Sequence, residues 1–121
     1  MKYLVVIILC CAAQTAFSAC KSSDIEITSV RTRFVDDCRR TPCYVLRGAA
    51  TLNNKCAEAV GVQVQIVGLD SSGAPVAANE MWPASVQNIA PGAYTFSLDT
   101  WLQYDPAIVR FELKVQSVRR W

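Results

Sequence analysis

"AVGVQVQIVGLD", residues 59–70, decides the fold. Val60, Val62, Val64 and Ile66 fall on one side of an extended chain, and Gln63 and Gln65 on the other. Successive strand side chains point to opposite faces, so this is a strand with one face toward a core. The same period of two recurs on both sides. In "CYVLRGAATLN" (43–53), Tyr44, Leu46, Gly48, Ala50 and Leu52 share a face, opposite Arg47, Thr51 and Asn53. "AYTFSLD" (93–99) groups Tyr94, Phe96 and Leu98. "IVRFELKVQSV" (108–118) groups Val109, Phe111, Leu113 and Val115 against Arg110, Glu112 and Lys114. In "DIEITSVRTRFV" (24–35) the alternation slips phase between Ile27 and Val30, the mark of a bulge.

Turn formers separate these runs: "NNKCAE", "DSSGAP", "APG" (Ala90 to Gly92) and "QYDP". "VAANEMWPASVQNI" (76–89) is less regular, and Pro83, which cannot donate to a ladder, predicts an edge or a bulge there. No segment carries a helical stripe. Five strong strands and one or two weak ones with short turns predict an all-β, small immunoglobulin-like two-sheet sandwich over 19–121. An up-and-down barrel is the alternative. Of the tryptophans, Trp101 is the candidate for the core and Trp82, in the irregular stretch, for an exposed anchor.

The first twenty residues, "MKYLVVIILCCAAQTAFSAC", have another character. Lys2 precedes an apolar run from Leu4 to Ala13, too short to span a bilayer, and small residues follow. This layout predicts a signal peptide over 1–18, cut before Ala19 after Ala16 and Ser18, and hence export to the periplasm or the extracellular space. "FSAC" also resembles a lipobox, which would put a lipid anchor on Cys20, but Phe17 stands where Leu, Val or Ile is usual. No other run is long enough for a transmembrane segment in the mature chain.

The 121 residues carry 12 Lys and Arg against 10 Asp and Glu, a net charge of +2. Losing Lys2 with the leader leaves 11 − 10 = +1. A near-neutral domain has no bulk electrostatic case for nucleic acid or a membrane surface.

Cys10 and Cys11 leave with the leader, so Cys20, Cys38, Cys43 and Cys56 remain, and an even count in an exported domain predicts two disulfides. The chain has no histidine, and the four-residue gap of "CRRTPC" (38–43) suits neither zinc nor a thioredoxin-type centre. If 24–35 and 43–53 form a hairpin, its tip lies at 38–43. Cys38 then faces Cys43, and Cys20 before the first strand meets Cys56 after the second. Lipidating Cys20 would strand Cys56, so the pairing favours cleavage before Ala19.

Catalysis is not expected. Without histidine no Ser-His or Cys-His pair can form, and Asp36 and Asp37 flank a turn, where aspartate ordinarily bonds the backbone. No metal site and no cofactor are expected. The polar feature with binding chemistry is positive: Arg31, Arg33 and Arg47 on one outward face, with Arg39 and Arg40 at the tip. Guanidinium forks suit carboxylates and phosphates, so these arginines, with Trp82, make a candidate surface for a protein or anionic envelope partner. A solvated sheet face is the plainer alternative. A small inhibitor or immunity-type protein acting through the Cys38–Cys43 loop is the rival function, and self-association through a sheet edge is a third.

Over residues 44–118 the chain resembles the bacterial immunoglobulin-like domains called FxLYD. The likeness rests on "LRGAATLNN", "VQVQIVGLDSSGAPV", "NIAPGAYTFSL" and "VRFELKV". The Tyr-Asp pair of the family name follows neither "FSL" nor "FEL". The resemblance implies an extracytoplasmic binding or structural module with no catalytic residues.

Overall fold

The computed structural model describes residues 19–121; the expected leader, with Cys10 and Cys11, lies outside them. After a short 3₁₀ turn, Ser22–Asp24, come β1 (Ile25–Asp36), β2 (Tyr44–Asn54), β3 (Gly61–Leu69), β4 (Pro75–Met81), β5 (Gly92–Ser97) and β6 (Arg110–Arg119). All pairings are antiparallel, in two three-stranded sheets ordered β1-β2-β5 and β4-β3-β6. The chain leaves the first sheet after the β1–β2 hairpin and makes the β3–β4 hairpin in the second. It then returns with β5 beside β2 and crosses back with β6 beside β3. This is the connectivity of an immunoglobulin-like sandwich.

The hairpin runs in register from Ile25 opposite Asn54 to Asp36 opposite Tyr44. The phase slip is real: the register shifts between Ile27 and Ser29, so Thr28 is the extra residue, and its hydroxyl donates to the Thr51 carbonyl. Beyond the bulge Thr32 and Phe34 are half-buried and Phe34 packs against the core, Arg31 and Arg33 are exposed on the opposite face, and Val30 also stays exposed. A second bulge, at Gln116, shifts the β3–β6 register between Gln63 and Val64.

The core lies between the sheets. Leu46, Leu52, Val62, Val64, Ile66 and Leu98 are fully buried, and Ala50, Val60, Phe96 and Trp101 pack with them. Each buried aliphatic side chain contributes roughly 1.5–3 kcal/mol. Trp101 stacks on Phe96 with ring centroids 5.6 Å apart, as expected of the core tryptophan. Asn54, the one buried polar side chain among the described residues, is fully satisfied. Its amide donates to the Glu58 and Ile89 carbonyls and its oxygen accepts from Cys56 N–H.

Gly48, at the middle of β2, has φ +151°, and a Cβ there would collide with the Arg31 carbonyl and Thr32 of β1. The glycine therefore lets β1 and β2 approach closely. Both disulfides form as the hairpin predicts, Cys20–Cys56 with Cα atoms 5.6 Å apart and Cys38–Cys43 at 5.4 Å.

Three expectations about individual residues are corrected. Pro83 sits in the turn after β4, not within a strand or bulge, because the strand ends at Met81. Val109 is 64% exposed: it precedes β6, and only its N–H, donating to Leu69, joins the sheet. Tyr44 lies at the tip beyond the core and stacks on Tyr104 instead, with centroids 4.5 Å apart.

Candidate docking face

The outward side of the β1–β2 hairpin carries the candidate site. Arg33 stands directly opposite Arg47, and Arg31 lies two residues along β1, about 7 Å away, on the same face. With Thr32, Val35 and Gly48 they line a shallow open depression of about 440 Å³. Like charges directly opposite one another on a sheet are destabilising, so neutralisation near the Arg33–Arg47 pair matters. It falls on Arg47, whose Nη2 donates to Asp37 Oδ2 at 2.9 Å and whose Nη1 lies 3.5 Å from Asp99 Oδ2. The Asp37 hydrogen bond is the main cause that holds the Arg47 pKa above the ordinary guanidinium value.

Asp99 is in turn fixed, because its Oδ1 accepts the Gly48 N–H at 2.9 Å. Arg31, Arg33, Arg39 and Arg40 are exposed and form no ion pair among the described residues. Their forks are open to a ligand; that of Arg47 is occupied.

The tip is braced from below. Asp36 Oδ1 accepts the N–H groups of both Cys38 and Cys43, each at 3.1 Å, and Asp37 N–H donates to the Cys43 carbonyl. Only Asp36 bonds the backbone of the turn through its carboxylate, as a double acceptor at the disulfide, whereas the Asp37 carboxylate pairs with the Arg47 side chain. The six-residue loop that carries Arg39 and Arg40 is closed by both the covalent bond and this carboxylate.

Trp82 does not join this face. β4 starts at Pro75, opposite Leu69, and runs to Met81, opposite Val64, which carries Trp82 toward the Gly61 end of β3. The hairpin tip lies at the other end, where Phe34 meets Phe111 with ring centroids 5.5 Å apart, and Phe111 is opposite Gly68. Trp82 packs edge-on against Trp121, 5.3 Å between centroids. Trp121 is docked by its backbone N–H on Asn88 Oδ1 and by the Arg119 guanidinium 4.0 Å from its ring. The arginines and the Trp82–Trp121 pair are separate features at opposite ends.

Asp99, which organises Arg47 and Gly48 from the far side of the sheet, was not singled out in the sequence. Its only local signal is that it ends the alternating "AYTFSLD". Cys20, Asp24 and Cys56 form a cluster with metal-ligand spacing. Their two sulfurs are joined in the disulfide, and Asp24 accepts from Lys21 N–H. One half-buried carboxylate does not hold a metal.

Comparison of the chain with protein families, with curated proteins and with solved structures finds no match. The two disulfides suit a chain that folds in an oxidising compartment. Among the described residues no helix is long and apolar enough to cross a membrane.

Proposed function

We propose that this protein is a non-enzymatic, exported binding module of the bacterial envelope, of FxLYD type, that docks an acidic protein surface or an anionic envelope component. The observation that carries the reading is the division of labour among the arginines. Arg47 is neutralised by Asp37 and Asp99, while Arg31, Arg33, Arg39 and Arg40 stand exposed without ion pairs. Holding like charges together without internal partners is unfavourable unless an external anion supplies the complement. A pinned loop also loses little entropy on binding. Periplasmic or extracellular residence as a soluble chain belongs to the same reading, because a Cys20 sulfur held by Cys56 is not free to take a thioether-linked lipid.

The test is capture of envelope partners by immobilised protein. Arg39→Glu with Arg40→Glu abolishes capture, and a double mutant that still captures the same partners refutes the assignment. A second reading rests on the braced, exposed Cys38–Cys43 loop, which has the rigidity of an inhibitor or immunity-type wedge. Inhibition of a cell-wall hydrolase that disappears on reduction would favour it.

A further inference from the structure

The sandwich leaves four strands at sheet edges, β1 and β5 in one sheet, β4 and β6 in the other. An open edge is a template for another strand, and most of these are blunted. β4 begins with a proline and β5 has only six residues. β1 carries the Thr28 bulge, and any two-fold register centred on Arg31, Thr32 or Arg33 sets arginine against arginine. β6 is different. It is ten residues long and among the described residues pairs only on its β3 side, and its core-facing row, Phe111, Leu113 and Val115, is only partly buried. Its outward row reads Arg110, Glu112, Lys114, Gln116, alternating in charge, and neither Glu112 nor Lys114 has an ion pair among the described residues.

That row is complementary to itself. Two copies of β6 laid antiparallel about a two-fold axis through Leu113 bring Glu112 of each opposite Lys114 of the other, and Arg110 opposite Gln116. On the inner face Leu113 meets Leu113 and Phe111 meets Val115. The register spans every residue from Arg110 to the Gln116 bulge. Shifting the axis to Glu112 opposes Glu112 to itself and Arg110 to Lys114. Shifting it to Lys114 opposes Lys114 to itself, and a one-residue slip turns the apolar row to the wrong face. An axis through Phe111 restores a charge match at Arg110–Glu112 but runs off the start of the strand.

We propose that the free edge of β6 pairs with β6 of a second copy of this chain. The pairing joins two β4-β3-β6 sheets into one six-stranded antiparallel sheet. It is isologous, so it closes at the dimer. It uses a different sheet from the arginine face, which stays open on the outside of β1 and β2, and the two proposals stand or fall separately.

Sedimentation equilibrium of the purified protein tests it, with hydrogen exchange of the β6 amides read at low and high protein concentration. The wild type forms a dimer, with concentration-dependent protection along Arg110–Gln116. Glu112→Lys places two like-charge contacts in the interface and weakens the dimer about tenfold or more, as does Lys114→Glu. The double swap, Glu112→Lys with Lys114→Glu, restores wild-type affinity. Circular dichroism checks that these exposed substitutions leave the fold intact. A monomer up to millimolar concentration overturns the proposal, as do assembly beyond the dimer and single variants that dimerise like wild type. Amides of β6 protected only when a foreign extended chain is added also overturn it, because the edge then serves a different partner.

Discussion

The two disulfides are unequal in what they do for stability, and the difference can be worked out. Cross-linking removes loop-closure entropy from the unfolded chain in proportion to the logarithm of the loop enclosed. The Cys20–Cys56 bond spans a separation of 36 residues and Cys38–Cys43 one of 5. The chain-entropy relation then gives about 4 kcal/mol for the first and about 2 kcal/mol for the second at 25 °C. Cys20 and Cys56 also pack against the core, which adds to the larger figure. Net stabilities of small domains are about 5–15 kcal/mol, so losing the larger bond removes a large share and losing the smaller is tolerated. The assay is urea unfolding of Cys20→Ser/Cys56→Ser and of Cys38→Ser/Cys43→Ser beside the wild type, followed by tryptophan fluorescence. The midpoint should fall about twice as far in the first variant as in the second. If the tip variant loses as much as the other, the entropy reasoning is refuted, and the short loop must then hold the sheets together in some other way.

Four further outcomes follow. Gly48→Ala should destabilise by more than about 2 kcal/mol, because it combines a disfavoured φ with collision against β1; a melting temperature within a few degrees of wild type would contradict this. Ile66→Ala should cost about 2–5 kcal/mol in urea unfolding, as expected for truncating a fully buried side chain. Asp36→Ala removes the acceptor of two backbone N–H groups and should speed amide exchange at Cys38 and Cys43 while leaving exchange in β3 unchanged. The Asp70 carboxyl is held below its ordinary pKa, first by the Ser72 hydroxyl and then by the Ala74 N–H. A depressed folded-state pKa means that its contribution is present above the unfolded-state value of about 3.9 and fades as the pH falls through the folded-state pKa. NMR shifts of Ser72 and Ala74 should therefore move only in acid, below the ordinary aspartate range, and movement near neutral pH would contradict this.

What could be read from the chain was local and periodic. Alternation of period two picks out β2, β3, β5 and β6, and the slip between Ile27 and Val30 marks the bulge whose extra residue the strand register identifies as Thr28. The nested disulfides followed from one hairpin, because the pairing of flanking strands brings both cysteine pairs together. β4 was legible only weakly, since "VAANEM" at a sheet edge buries little and has no strict alternation to keep. The return of β5 to β2 left no local mark, because sheet order is set by packing between segments far apart in sequence. For the same reason Asp99 was overlooked: it reaches Gly48 across a separation of 51 residues. The grouping of Trp82 with the arginines failed on strand direction. Composition identifies an anchor residue but not the end of the sandwich to which its strand carries it.

The function proposed for the hairpin is recognition of anions by its open arginines. The most direct measurement is an NMR titration of the isotopically labelled protein with polyglutamate, a carboxylate-rich probe, at two salt concentrations. Shifts should concentrate at Arg31, Arg33 and the Cys38–Cys43 loop. Arg47 should move less, because Asp37 and Asp99 already hold it, and the response should weaken at high salt. Shifts centred on the Trp82–Trp121 end, or none at all, would contradict it.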